Sequence, residues 1–210
     1  YSSFQERPKH LDPARSYSSN EYAFIAQIYE PLFQYHYLKK PYQLVPLAAK
    51  EMPKLLYLDH NFKNTKDRNN ITYVKYILKI KKGILYQNHP AFYKIENEYK
   101  YHNLNKIDLD KIDTIQDFEN ESTRELVSDD YIYQIKRLAD YKNHSPISGV
   151  MQEYILGFSD YIKKIEEFKY KSNVDRVEFI KSNPIKGIKK IDDYSSVSYT
   201  HLRAHETLLY

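Results

Sequence analysis

The sequence contains no cysteine, and this absence removes three kinds of chemistry at once. Disulfide bonds, thiolate metal ligands and cysteine nucleophiles are all excluded. The cellular compartment stays open, because cytosolic and periplasmic proteins can both do without cysteine. Glycine is also scarce, with 4 residues beside 9 prolines, which argues against a collagen-like or low-complexity chain.

Long apolar runs and a strong charge of one sign are missing as well. No segment approaches the roughly 18 consecutive apolar residues that predict a membrane-spanning helix. The net charge is +4 on 210 residues, with 32 basic and 28 acidic side chains. Such a balance is too slight to dictate a polyanionic partner. The chain is long enough to bury about 70% of its unfolded surface, so one globular domain or slightly more is feasible.

The two ends of the sequence differ in character from the rest. The chain begins at Tyr1 with neither Met nor a charged-then-apolar leader, so these residues neither show nor exclude a signal peptide, and one upstream is only presumed. From Ser198 the residues read SYTHLRAHETLLY, which is similar to translated sequencing adapter. We therefore predict that residues 1–197 form the native part and that residues 198–210 are an artefactual, unpacked tail.

The clearest local signal lies in residues 11–33. Ser18 and Glu21 have the spacing of a capping box, in which a hydroxyl and a carboxylate satisfy each other's backbone amides at the start of a helix. Pro31 then ends the helix, and residues 12–20 form a polar loop that leads onto its N-terminus. The predicted buried stripe of the helix consists of Tyr22, Ile25, Ile28, Tyr29 and Leu32.

The middle of the chain predicts strands and long connections. Alternation of side chains over residues 71–80 predicts a strand, Lys82-Gly83 predicts a turn, and residues 84–86 begin a second strand. Residues 41–70 are punctuated by Pro, Asn and Asp, so we expect mostly loop there. Residues 88–123 are polar and weakly periodic, which predicts an insertion or long connection.

The C-terminal half predicts two helices and a strand, so the fold class is α/β (mixed α+β). Ser128 can cap the first helix, whose acidic first turn and basic last turn suit the helix dipole. A second helix covers residues 152–170, and residues 188–191 form a strand that enters a turn at 192–194. The predicted apolar stripe of the first helix consists of Ile132, Ile135, Leu138 and Ala139.

Histidines and acidic residues do not predict a metal site. His201 and His205 have the i, i+4 spacing of a helical zinc pair, but Leu202 stands where a Glu is expected and both lie in the suspect tail. The acidic run from Asp108 to Asp117 resembles a calcium loop, yet the fifth and sixth positions carry neither the oxygen ligand nor the Gly that such a loop needs.

Catalytic motifs are absent from the sequence. Asp129 and Asp130 form an acidic pair, but acids of this kind are commonplace at the start of a helix. There is no phosphate loop, serine elbow or dinucleotide fingerprint. We expect a protein that is not an enzyme, with no cofactor and no metal.

A basic and aromatic run suggests an alternative function. Its residues are Tyr73, Lys75, Tyr76, Lys79, Lys81 and Lys82. Stacking rings and cations together can bind single-stranded nucleic acid. A strand with one face exposed to solvent explains the same residues, because lysines on such a strand also discourage pairing with strands of other molecules. A Tyr/Lys-rich nucleic-acid-binding module is therefore the alternative function. The preferred expectation is that the protein does not bind nucleic acid.

The loop at residues 12–20 is the more promising site. A hydroxyl- and tyrosine-bearing loop that ends on a capped helix presents backbone amides and side-chain donors to a ligand lying across it. An ordinary loop with a good cap explains the same residues equally well.

Several blocks of the sequence also resemble a known family. LDPARSYSSNEYAFIAQIYEPL (11–32) is similar to the "L-D-P … helix … Y/F-E-G/P-L" segment of the family 5 extracellular solute-binding proteins. These are the peptide- and nickel-type binding proteins of ABC importers, oligopeptide-binding proteins among them. Further similar blocks follow in the family's order: LVPLAAKEM (44–52), YVKYILKIKKGILYQNHPAF (73–92), ELVSDDYIYQIKRLADYKNHSP (125–146) and GIKKIDDYS (187–195).

The resemblance implies an incomplete first lobe of a periplasmic-binding-protein type II fold. Residues 1–197 would be a partial lobe with 88–123 as an insertion. A ligand would be clamped between this lobe and a second one, with closure around a hinge. Relatives place the segment after L-D-P in the cleft, which implies ligand contacts from Arg15, Ser16, Tyr17, Ser18 and Ser19.

The resemblance also implies partners and a compartment. The expected partners are a peptide ligand and ABC permease subunits in the inner membrane, and the protein is expected to be a periplasmic monomer. Carriers of nickel, heme or another solute in the same family share this lobe, so the ligand class stays open between them and peptides.

Overall fold

The computed structural model describes residues 6–202, in which the chain forms a mixed α/β structure, as the sequence predicts. The helices are α1 (Ser19–Ile28), α2 (Lys106–Leu109), α3 (Ser128–Leu138), α4 (Ser148–Tyr154), α5 (Phe158–Phe168) and α6 (Asn173–Ser182). The strands are β1 (Phe33–Tyr35), β2 (Leu44–Pro46), β3 (Lys54–Leu58), β4 (Tyr73–Lys79), β5 (Lys94–Ile95), β6 (Glu98–Tyr99), β7 (Ile188–Asp192) and β8 (Ser195–His201).

The chain divides into two units. Of the described residues, 6–81 and 127–202 belong to the first unit, and residues 82–126 form the second. The predicted insertion at 88–123 lies within the second unit. A helix that crosses a bilayer needs a long apolar stretch, and no helix within residues 6–202 has one.

The main sheet of the first unit has four antiparallel strands in the order β3-β4-β8-β7. Leu56 lies opposite Lys75, and Lys75 lies opposite Tyr199, so one row crosses three strands. The strand predicted from alternation is confirmed as β4. The prediction that residues 84–86 form a strand is wrong, because β3 and β8 occupy both edges of β4.

Residues 41–70 are mostly loop and turn, as predicted, but strand β3 within them was not expected. Its Leu55, Leu56, Tyr57 and Leu58 form a short apolar run. A run of this kind lacks alternation, so periodicity alone does not distinguish it from other structure. Pairing with β4 decides its conformation, with five residue pairs from Lys54–Ile77 to Leu58–Tyr73.

The core of the first unit gathers helices α3, α5 and α6 around aromatic and branched side chains. Its most deeply buried members include Phe158, Tyr161, Ile165 and Ile185. The predicted stripe of α3 is confirmed, because Leu138 and Ala139 are buried and Ile132 and Ile135 pack against the same cluster.

The single helix predicted for residues 152–170 is two helices, α4 and α5. Gly157 between them has φ +75°, a left-handed conformation that favours glycine. The break brings the backbone of Leu156 against Gly187, whose amide donates to the Leu156 carbonyl at 2.8 Å. Leu156 in turn donates its amide to the Tyr199 carbonyl at 3.1 Å. The helix is therefore interrupted because the backbone at this point bonds to the sheet.

Helix α6 was not expected from the sequence. Ser172 and Asp175 form its capping box, with each side chain accepting from the other's backbone amide. At its other end, the buried Lys136 donates from Nζ to the carbonyls of Ile180 and Lys181, at 2.9 and 3.3 Å. Burial lowers the pKa of Lys136. Helix α6 is thus capped partly by a side chain from α3.

The second unit contains the β5-β6 pair, helix α2 and a group of aromatic rings. Within this unit, Leu85 and Glu125 form an isolated antiparallel bridge, and the Leu126 amide donates to the Ile84 carbonyl at 2.8 Å. Tyr101 packs edge-on against Phe118, with ring centroids 4.9 Å apart. In the acidic run, the Asp117 carboxylate accepts from Thr114 and Asp113 amides at 2.7 and 2.9 Å. Among residues 6–202, no three acidic or histidine side chains lie close enough to hold a metal ion.

Residues 198–202 contradict the expectation of an unpacked tail. Ser198 and His201 lie in β8, opposite Tyr76 and Tyr73 of β4, and the Leu202 amide donates to the Thr72 carbonyl at 3.0 Å. β8 is paired on both sides, so its backbone is satisfied within the sheet. The foreign origin of residues 198–210 stays a prediction, and its part beyond residue 202, His205 included, lies outside the described residues.

Candidate ligand-binding loop

The loop before α1 begins with a tight turn around Asp12. The amides of Arg15 and Ser16 both donate to the Asp12 carbonyl at 3.0 Å, and the Ala14 amide donates to the Asp12 carboxylate at 3.0 Å. Ala14 itself is completely buried and belongs to the core cluster. The turn is therefore held both by its own hydrogen bonds and by the packing of Ala14.

Arg137 of α3 anchors the same turn from outside. Its Nη1 and Nη2 donate to Oδ1 and Oδ2 of Asp12 at 3.0 and 2.5 Å, a bidentate pair. Burial would raise the pKa of Asp12, but the hydrogen bonds from Arg137 and from the Ala14 amide outweigh it, and the pKa lies below its usual value. The carboxylate is thus charged and fixed.

Glu21 of α1 holds the loop from the other side. Its carboxylate accepts from the amides of Lys9 and His10 at 2.9 Å each and from the Ser16 hydroxyl at 2.5 Å. The Ser16 hydroxyl, followed by the His10 amide, lowers the pKa of Glu21 to about 2. Glu21 therefore stays ionised across the ordinary pH range.

The capping box predicted for α1 is only half formed. The Ser18 hydroxyl accepts from the Glu21 amide at 3.3 Å, which confirms Ser18 as the N-cap. The Glu21 carboxylate does not return to the Ser18 amide, because Lys9, His10 and Ser16 already fill its acceptor sites. The carboxylate that was expected to cap the helix orders the preceding chain instead.

The five predicted site residues lie together on this loop and at the start of α1. Ser16 is half-buried, whereas Arg15, Tyr17, Ser18 and Ser19 are exposed. Tyr17 is the most open of the tyrosines near the loop, with 77% of its surface exposed. Two hydroxyls are already engaged, Ser16 on Glu21 and Ser18 as the cap. The groups that face solvent are the Arg15 and Tyr17 side chains and the Ser19 hydroxyl, and their contact with a ligand remains a prediction.

The apolar stripe predicted for α1 is mostly not buried. Ile25 is buried, but Tyr22, Ile28 and Tyr29 are 65%, 61% and 48% exposed. Their spacing does place them on one side of the helix. The prediction of burial is wrong for these three residues, because no element described in residues 6–202 covers that side.

A cavity of about 420 Å³ lies on one face of the main sheet, and the sequence did not indicate it. Its lining residues are Leu56, Leu58, Phe62, Asn64, Lys75, Leu156, Lys186, Lys189 and Tyr199. The Nζ atoms of Lys75 and Lys189 lie 5.6 and 6.0 Å from the centroid of the Tyr199 ring. Tyr199 belongs to the segment predicted to be foreign, and in that case this wall of the cavity is not native.

The basic aromatic run does not form one platform. Phe62 stacks on Tyr73 with centroids 4.5 Å apart, and Lys75 lies over Tyr199, so some of these side chains are already in contact. Lys79 pairs with Glu51 at 2.9 Å. Tyr76 points to the opposite face of the sheet from Lys75, since successive residues of a strand alternate.

No known family model matches the chain, and no curated protein sequence matches it. Four chains of solved structures are similar to it, among them those of two proteins at low identity. The pheromone receptor PrgZ, whose structure describes its mode of peptide binding, is 14% identical with a TM-score of 0.48. The ABC transporter-associated periplasmic binding protein DppA from Helicobacter pylori, solved in complex with the peptide STSA, is 16% identical with a TM-score of 0.45. Each match covers 91% of this chain and 24% of the other, so the chain spans about a quarter of the length of these structures.

Proposed function

We propose that the chain is part of the first lobe of the solute-binding component of an ABC importer. The full protein would bind a peptide, or a related small solute, between two lobes and deliver it to permease subunits in the membrane. The observation that carries the proposal is the loop at residues 12–19, which Arg137 and Glu21 hold from two sides while Tyr17 stays exposed. The ordered sequence blocks from 11–32 to 187–195 support it.

A rigid loop suits the binding of an extended peptide. Ordering a loop on binding weakens affinity, and a loop that is already ordered avoids that penalty. Arg15 can pair with a carboxylate, Tyr17 offers a ring with a polar tip, and Ser19 offers a hydroxyl. Groups of this kind recognise the features that all peptides share, rather than one side-chain sequence.

The proposal is for a binding protein rather than an enzyme. The two carboxylates of the loop are occupied, Asp12 by Arg137 and Glu21 by Ser16 and two amides. Neither has the raised pKa that a general acid requires at neutral pH. No cofactor is needed for the proposed activity, and the proposed setting is a monomer in the periplasm.

The proposal is tested by peptide binding with the protein expressed from the complete natural gene. A Tyr17→Ala substitution should weaken peptide binding about tenfold or more, measured by calorimetry against a mixed tripeptide to pentapeptide library. Tyr42→Ala is the matched control, because Tyr42 is 75% exposed and lies on a different element. Equal affinities of the two variants would remove Tyr17 from the site.

The isolated chain gives a second test. Half of the contacts of a two-lobed cleft would be absent from it, so we expect very weak peptide binding. Micromolar binding in calorimetry would contradict the two-lobed proposal. Binding of single-stranded DNA or RNA with a steep salt dependence would instead favour the Tyr/Lys-rich nucleic-acid-binding module.

A further inference from the structure

The hairpin formed by β1 and β2 ends in a group of exposed apolar side chains. We define residues 35–42 as the hairpin tip. Strand pairing ends with Tyr35 opposite Leu44, and the His36 amide donates to the Gln43 carbonyl at 2.8 Å. The remaining tip residues extend beyond this pair.

The apolar residues of the tip are Tyr35, Tyr37, Leu38 and Tyr42, which are 67%, 89%, 71% and 75% exposed. Two ring contacts lie within the tip. Tyr35 packs edge-on against Tyr42 at 6.1 Å, and Tyr37 stacks on the neighbouring His36 at 6.0 Å. Contiguous exposed apolar surface of this kind marks an interaction site.

The charge of the tip has one sign. Lys39 and Lys40 are exposed, and neither makes an ion pair among residues 6–202. The sequence contains no Asp or Glu between Glu30 and Glu51. A surface that attracts these two lysines must therefore be anionic.

We propose that the hairpin tip docks onto an anionic lipid surface. Tyrosine rings are enriched at the boundary between headgroups and acyl chains, where the ring is buried and the hydroxyl stays hydrated. Leu38 supplies a purely apolar contact at the end of the tip. Each lysine near an anionic leaflet strengthens binding about fivefold, so Lys39 and Lys40 together contribute roughly 25-fold.

The size of the tip favours a lipid surface over a protein partner. A stable protein interface uses about 20–30 residues from each side. The tip consists of residues 35–42 alone, and its exposed rings lie on a narrow loop rather than a broad face. A fluid headgroup layer can surround such a loop from all sides. The proposal does not depend on the peptide-binding function.

Vesicle co-sedimentation of the complete chain provides the first test. We expect binding to vesicles of phosphatidylcholine with one part in four phosphatidylglycerol, weaker binding to pure phosphatidylcholine, and loss of binding between about 0.1 and 1 M salt. Lys39→Gln/Lys40→Gln should reduce binding to the anionic vesicles roughly 25-fold. Tyr37→Ser/Leu38→Ser should abolish it. Tyr17→Ser is the matched control and should leave it unchanged, because Tyr17 lies outside the tip.

Tryptophan fluorescence provides the second test. The sequence contains no tryptophan, so a single introduced Trp reports on its own surroundings. Tyr37→Trp should shift its emission to the blue when anionic vesicles are added, whereas Tyr17→Trp should not. Equal shifts in both variants, or no shift in either, would overturn the proposal. So would equal binding of neutral and anionic vesicles, or unchanged binding by both double variants. Failure of the Tyr17→Ala peptide test leaves these results untouched, so the two proposals fail separately.

Discussion

Asp12 and Arg137 lie 125 positions apart in the sequence and are joined by a bidentate hydrogen-bonded pair at 3.0 and 2.5 Å. The pair connects the candidate loop to the helix α3. Because guanidinium and carboxylate are both planar, the pair fixes the orientation of the turn as well as its position.

Arg137→Lys should loosen this connection. A lysine cannot donate two parallel hydrogen bonds to one carboxylate, so the free energy of unfolding should fall by about 1 kcal/mol and the Tm by roughly 2–4 °C. Urea unfolding measures the change. The control is Lys79→Gln, which removes the solvent-exposed Lys79–Glu51 pair and should change the free energy of unfolding much less. An equal loss in both variants would show that the Asp12 pair has no special role.

Glu21 predicts a dependence of stability on pH. Its folded pKa of about 2 lies below its ordinary value of 4.5, so folding favours the charged form. The stabilisation is complete above about pH 4.5 and disappears as the pH falls toward 2. In thermal unfolding at pH 7, the wild type should therefore have a higher Tm than Glu21→Gln. This difference in Tm should become small by pH 2. A difference that stays constant over this range would contradict the assigned pKa.

The close packing at Gly187 predicts that adding one methyl group there causes a steric clash. A Cβ at Gly187 would lie 2.5 Å from the Leu156 carbonyl oxygen and 2.9 Å from its amide nitrogen, both backbone atoms. Gly187→Ala should therefore destabilise the fold by about 2 kcal/mol or more. Gly149→Ala is the control, because nothing lies within 4 Å of a Cβ there and alanine favours the helix. Denaturant unfolding should show opposite signs for the two substitutions.

The hydrogen bonds of strand β8 predict that its residues from Ser198 onward, which were expected to be foreign, are protected from hydrogen exchange. The Tyr199 amide donates to the Gly187 carbonyl at 2.7 Å, and the Leu156 amide donates to the Tyr199 carbonyl. Hydrogen exchange should be slow at Tyr199. Truncation after Val197 should lower stability far more than truncation after Leu202, because it removes four residue pairs with β4, from Tyr76–Ser198 to Tyr73–His201. Rapid exchange at Tyr199 would show that the end of β8 is not formed.

Local signals predicted those elements whose sequence pattern matches their structure. Strand β4 alternates, α3 carries its stripe and its charges, and β7 runs into an acidic turn, so each was expected close to its observed bounds. Ser18 was likewise expected as the cap of α1. In these places, the residues that decide the structure are neighbours in the sequence.

Other features depend on contacts between distant segments. The break between α4 and α5 follows from Leu156 meeting Gly187, and the conformation of β3 follows from its pairing with β4. The candidate loop was expected, but its anchors were not, because no local pattern joins Asp12 to Arg137. Residues 198–201 were not predicted to form a strand because their sequence resembles translated adapter. Their pairing with β4 shows that they are the end of β8.

The position of β8 has a consequence for synthesis on the ribosome. β8 is the last strand described, yet it lies between β4 and β7 in the sheet. Until it emerges, the β3-β4 hairpin displays one open edge of backbone donors and acceptors, a template for pairing with other chains. Lys75 and Lys79 of β4 add charge to that nascent strand. The sheet can close only after residues 195–201 have been translated, so the open edge of β4 persists for as long as synthesis of the intervening segment takes.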